Sequence, residues 1–219
     1  MPTRIGLDIS SIDGWRRRIR RTPEVARLAF TPAERAWAIS RPENAATLWA
    51  IKEAVVKTLG TGFAGIGWHG VEIDPTGADL AVTSPPLPHW AVEPVARWWI
   101  GTALVDGWAT AMVTCSTTPL RVALRMHRLR ASERDPTARA YCQSAAARIL
   151  ARDAASSLLP AGSDPGMLIW AVNPGGGPSL CTTTGIQIAI SLSHCSGAVA
   201  AAAALRLPQP CSLSDHQLR

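Results

Sequence analysis

Lysine is almost missing from this chain: of 22 basic residues, 20 are arginine and only Lys52 and Lys57 are lysine. In so arginine-rich a chain, a retained lysine marks places where a compact ammonium rather than a guanidinium fork is wanted, and both fall within six residues. The five cysteines are widely spaced and form no CxxC pair, which argues against a zinc ribbon or a disulfide framework and for free thiols. No long apolar run occurs. The longest, Ala198 to Leu205, is far short of the ~20 residues of a membrane helix, and the N-terminus carries Arg4 and Asp8 instead of an apolar signal segment. The expectation is a soluble, cytoplasmic protein without a membrane partner.

What is present belongs to a globular protein. Of 219 residues, 47% are hydrophobic and 17% charged, too apolar for a disordered tail and too sparsely charged for a coiled coil. The net charge of +6 favours an acidic partner. Nine tryptophans and the arginines at 121, 125, 128 and 130 raise nucleic acid as a candidate, but no binding motif accompanies them. Nucleic acid is therefore not expected.

Residues 3–10 alternate Ile5, Leu7 and Ile9 against Gly6, Asp8 and Ser10, the pattern of a strand presenting a carboxylate. Five arginines crowd residues 16–21, and Thr22-Pro23-Glu24 and the capping box Thr31-Pro32-Ala33-Glu34 each open a short helix. Residues 44–59 predict the clearest helix, with Leu48, Ile51, Val55 and Leu59 at helical spacing and a stop at Gly60. Strands are expected at 67–74, 78–84 and 108–115, with a proline turn at 85–88. Residues 120–128 read equally as strand or helix. Beyond them come a helix at 139–159, strands at 167–172 and 186–193, a turn at 173–179, an alanine-rich element at 197–207, and a loose tail over 208–219. The pattern restarts near 119, giving two mixed halves, 1–115 and 119–207.

Asp8, Glu53, Lys57 and His194, with glycine turns at 60–62 and 175–177, form a set suited to phosphate handling. Two carboxylates can hold a hard divalent cation, a lysine can neutralise a phosphate, and glycine turns let backbone N–H groups approach one. Singly, each has an ordinary alternative: an edge residue for Asp8, a surface i,i+4 pair for Glu53 and Lys57, a buried strand-end histidine for His194.

In combination, IGLDI at 5–9, WAIKEAVVKTLGTGF at 49–63, GVEI at 70–73, Gly176-Gly177-Pro178 and Ser191-Leu192-Ser193-His194 resemble the signatures of the 4′-phosphopantetheinyl transferases. The resemblance implies an α+β fold and Mg²⁺-dependent transfer of the phosphopantetheine arm of coenzyme A to a serine of acidic acyl or peptidyl carrier proteins. It assigns Asp8 and Glu53 to the metal, and Glu53 and Lys57 to catalysis. Lys57, Ser193, His194, Gly176 and Pro178 fall to coenzyme binding, and Arg17, Arg20 and Arg21 to carrier docking. The small synthases of the family are half this length and form trimers, whereas the larger type is one chain of two halves. Here the order of halves is reversed relative to that larger type, which implies a circularly permuted pseudodimer, monomeric, with one site between its halves. The rival arrangement is a small synthase with an insertion at about 90–165, which would be a trimer. Two departures stand out. Ser10 replaces a second carboxylate of the larger type, and Gly177 replaces the usual basic residue of the G-(K/R)-P turn, which leaves a catalytically impaired coenzyme A- or carrier-binding homologue as the alternative. Arg148 or Arg152 is a substitute for that missing charge, against the plainer reading of a solvated helix face.

Overall fold

The computed structural model describes residues 3–60, 62–63, 66–75, 81–84, 97–116, 118–130, 139–172, 177–195 and 197–206. The proline turn at 85–88, Gly176 and the tail from 207 onward lie outside these residues. Strand β1 (Arg4–Ser11) leads into helices α1 (Ile12–Arg21), α2 (Glu24–Ala29), α3 (Pro32–Ser40) and α4 (Pro42–Leu59). Two short strands follow, β2 (Glu72–Asp74) and β3 (Ala81–Ser84), then the hairpin β4 (Arg97–Val105) and β5 (Trp108–Ser116). The second half holds β6 (Leu120–Arg128), α5 (Arg139–Ser156), β7 (Ile169–Val172), β8 (Pro178–Cys181), β9 (Gln187–Cys195) and β10 (Ala198–Arg206).

Several expectations are refined. The expected strand at 67–74 is confined to β2, β4 and β8 were not foreseen, and residues 120–128 resolve as strand. Pro23 caps α2 without a side-chain bond, whereas Thr31 and Glu34 form the full capping box. The alanine run is β10, not a helix, despite alanine's helical propensity. Its two faces explain why. Ala201 and Ala203 pack with Ala151, Ala154 and Ala155 of α5, while Ala200, Ala202 and Ala204 pack with Ile5 and Leu7 of β1. A strand turns successive alanines to opposite faces, so that a helix packs on one and β1 on the other.

The halves share one topology. Their sheets run β1-β5-β4 and β6-β10-β9, the latter extended by β8 and β7, and each half lays an 18-residue helix on its sheet, α4 or α5. The correspondence reaches single bonds: Ile12 N–H, just after β1, donates to Gly107 O at 3.0 Å, and Leu129 N–H, just after β6, donates to Gly197 O at 2.9 Å. Strands β4 and β5, residues 97–116, complete the sheet that begins with β1.

Gly6 sets the spacing between β1 and α4. A Cβ there would stand 1.8 Å from Ala54 O and 2.6 Å from Thr58 Oγ1, and backbone cannot yield as a flexible side chain can. Gly6→Ala is expected to destabilise the fold by about 3 kcal/mol through overpacking, read as a lower urea midpoint at unchanged m-value.

Candidate active site

β1 has β5 on one edge and meets the second half on the other. There the N–H groups of Leu7 and Ile9 find no strand; they donate instead to Ser191 Oγ at 2.8 Å and Ser193 Oγ at 3.3 Å. The two serines stand two apart on β9 and so share a face. The Ser193 hydroxyl in turn donates a hydrogen bond to Asp8 Oδ1 at 2.8 Å. That oxygen also accepts from Lys57 Nζ at 2.8 Å, and Lys57 is held a second time by Leu7 O at 2.9 Å.

Thus Lys57 does not form a plain surface pair with Glu53; it reaches down from α4 to the strand below. Glu53, one turn earlier on α4, is half-buried. Burial first, and the negative charge of Asp8 second, push its carboxyl above the ordinary 4.5, with Lys57 opposing them. Asp8, Glu53, Lys57, Ser193 and His194 line one pocket of about 530 Å³. His194 is exposed there, not a buried strand-end histidine. Ser10 shares the pocket, its hydroxyl accepting from Trp15 Nε1 at 3.0 Å. Trp49 forms a wall, backed by Trp15 at 5.6 Å and stacked on Phe63 at 5.6 Å between ring centres.

Lys57 and Leu192 also line a second cleft of about 330 Å³, with Arg4, Gly60, Gly177 and Pro178. Of the arginine tract, Arg17 reaches the first pocket, as does Arg18, which stands over Trp15. Arg20 and Arg21 are exposed on α1 and do not line it. Arg148 and Arg152 line neither pocket.

Lys52 has a different task. Its ammonium is fully buried with Glu34 at 2.8 Å and donates to Trp68 O and Val71 O at 3.0 and 2.6 Å. The site's nearest equivalent in the second half has inverted charge. Counting back four residues from Ile12 and Leu129 places Arg125 where Asp8 stands, each facing an alanine on the next strand. Arg125 pairs with Asp153 of α5 at 2.6 Å as Asp8 pairs with Lys57 of α4. On β4, Ala103 and Leu104 occupy the places of Ser193 and His194, counted from Gly107 and Gly197. Two carboxylates, a lysine and a serine-histidine strand therefore line one pocket, a set able to hold a cation and an anion side by side.

The model of the 4′-phosphopantetheinyl transferase superfamily matches residues 4–111. The holo-[acyl-carrier-protein] synthase of Salinispora arenicola is 38% identical over 115 residues, which are 50% of this chain and 93% of that protein. That of Frankia casuarinae is 34% identical over 116 residues, 52% of this chain and 96% of that protein. Among solved structures, the Helicobacter pylori synthase in complex with coenzyme A aligns with a TM-score of 0.43 at 23% identity, over 51% of this chain and 99% of that one. The synthase from Neisseria meningitidis aligns at 0.44 and 24%, over 52% and 98%. The chain belongs to the 4′-phosphopantetheinyl transferase superfamily, and about half of it matches nearly the full length of these relatives.

Proposed function

We propose that this protein transfers the 4′-phosphopantetheine arm of coenzyme A to a serine of an apo acyl or peptidyl carrier protein, with one site made between its halves, 1–115 and 119–207. The observation that supports this most is the shared pocket: Asp8, Glu53 and Lys57 come from the first half, Ser193 and His194 from the second. The similar synthases named above modify acyl carrier proteins by their names. The order of the halves is read as a circular permutation of the larger family type, and the assembly as a monomer, which light scattering after size exclusion checks.

The residues fit a divalent cation. Asp8 and Glu53 line one pocket, where burial first and the Asp8 charge second raise the Glu53 carboxyl, a strain that a cation relieves. Among the described residues no group of three or more His, Cys, Asp and Glu gathers. Asp8 and Glu53 would therefore be the protein ligands, with water and phosphate oxygens completing the shell. Magnesium held there would neutralise the pyrophosphate of coenzyme A.

The chain's own groups do the rest. Glu53 takes the proton of the carrier serine, whose oxygen bonds to the β-phosphorus as the bond from that phosphorus to the bridging oxygen breaks and 3′,5′-adenosine bisphosphate leaves. Lys57, fixed by Leu7 O and Asp8, offsets the charge developing on the phosphate oxygens. Ser193 orients Asp8, His194 meets the 3′-phosphate region of the coenzyme, and Pro178 borders its nucleotide. Arg17, Arg20 and Arg21 offer the acidic carrier a basic helix face.

Intact-mass spectrometry of several apo carrier proteins, incubated with the protein, coenzyme A and Mg²⁺, tests the reading. One phosphopantetheine gained per carrier supports it; no gain, with coenzyme A still bound in calorimetry, makes the protein a binding homologue that has lost turnover. In the metal-free protein burial first and Asp8 second hold the Glu53 carboxyl above the ordinary 4.5, so protons and the cation compete for it, and calorimetric Mg²⁺ affinity is expected to weaken as pH falls toward that value. A Mg²⁺ affinity that does not change with pH would remove Glu53 from the cation site.

A further inference from the structure

The second cleft differs in chemistry from the first. Among the described residues its lining is apolar at Ile5, Ala189, Ile190 and Leu192, polar at Thr58 and Ser191, and charged at Arg4 and Lys57, without a carboxylate. Lys57 stands on the boundary, lining both clefts. A ligand whose reacting phosphate lies by Asp8, Glu53 and Lys57 would extend past Lys57 into a space with a largely apolar lining and a positive wall. That combination suits a base and a further phosphate.

Glycine at 177 brings no charge to this wall, and the two arginines of α5 that could have replaced it line neither cleft. Arg4 does line it. Its Nη1 donates to Leu59 O at 3.1 Å, at the C-terminal end of α4 and one residue before Gly60, which fixes the guanidinium at the cleft wall. A guanidinium held at a partly buried wall acts on an anion more strongly than one in open water, and its planar fork matches phosphate geometry. We propose that Arg4 is the phosphate-recognising residue of the second cleft, supplying from β1 the positive charge that Gly177 does not bring. The assignment rests on the transferase reading above and makes Arg4 a determinant of coenzyme affinity, not of the chemical step.

Arg4→Gln removes the charge while keeping a polar side chain, and Arg4→Lys keeps the charge without the fork. Calorimetric titration with coenzyme A is expected to show roughly tenfold to hundredfold weaker binding for Arg4→Gln, from loss of a charge-assisted contact, and a smaller loss for Arg4→Lys. KM for coenzyme A should rise in step while kcat stays within about threefold. A parallel titration with 3′-dephospho-coenzyme A locates the contact: an Arg4→Gln penalty that disappears places Arg4 on the 3′-phosphate, and one that persists places it on the pyrophosphate. Equal coenzyme A affinity in wild type and a folded Arg4→Gln variant, or a fall in kcat alone, overturns the assignment and leaves the transferase reading standing. A wild type that binds no coenzyme A overturns both.

Discussion

Glu53→Gln is expected to lower carrier modification by roughly 10²–10⁴-fold, the range for loss of a positioned general base, while the protein becomes more stable at neutral pH. Both effects have one cause. In the folded state Glu53 is desolvated and faces Asp8, so its carboxyl titrates higher than in the unfolded chain. For an acid raised in this way, the folded protein binds more protons than the unfolded one between the two pKa values, and stability falls as pH rises through that window. The neutral amide removes that penalty. Thermal melts in EDTA should show Glu53→Gln melting above wild type at pH 7–8, with the difference closing as pH falls below the ordinary 4.5. A variant that is inactive and also less stable at pH 7 would mean that Glu53 supports the fold instead of straining it. The family's central lysine and glutamate are adjacent in sequence, yet they point to opposite fates.

Lys52→Met should cost about 3–5 kcal/mol, the penalty for leaving one member of a buried ion pair unpartnered. At this chain length that is a fall in melting temperature of roughly 6–20 °C. Glu34 is fully buried and anchors three donors: Lys52 Nζ, and the N–H groups of Thr31 and Ile73, each at 2.8 Å. It thereby ties α3, α4 and β2 together. Replacing Lys52 strands the charge, while Glu34→Gln leaves Lys52 buried without its counter-ion and should cost a similar amount. The double variant Glu34→Gln, Lys52→Met removes both charges and should be more stable than Lys52→Met alone. At a temperature where Lys52→Met remains folded, it should keep most of its carrier-modifying activity, since Lys52 lies outside both clefts. Loss of activity in the folded variant would show that the pair also shapes the site.

The capping box at Thr31, the helix ending at Gly60 and the alternation of β1 were legible because each depends on neighbours within a few residues. Gly60 ends α4 in the left-handed region at φ 74°, its N–H returned to Val56 O and Lys57 O, as a glycine stop predicts. Residue chemistry singled out Asp8, Glu53, Lys57 and His194, and the family resemblance added Ser193; the fold brings all five to one pocket. Strand β4 went unread: it is an edge strand with Trp99, Leu104 and Val105 exposed, so the burial alternation that betrays a strand is weak there. β8, at four residues, is too short to show a period.

Which lysine does what could not be read along the chain. Lys52 and Lys57 lie on the same helix five residues apart, and helical geometry alone turns them to different faces. The sequence by itself determined the local elements and nominated Asp8, Glu53, Lys57 and His194 as a set suited to phosphate, because those follow from residue type and short-range patterns. Only the tertiary structure decided that Lys52 is buried against Glu34, that Lys57 reaches Asp8, and that Arg4 lines one cleft with Gly177. The two lysine pairs depend on how α4 packs against α3 and β1, and the shared cleft on the packing of β1 against β9 across more than 180 residues of chain, distances over which no local pattern carries information.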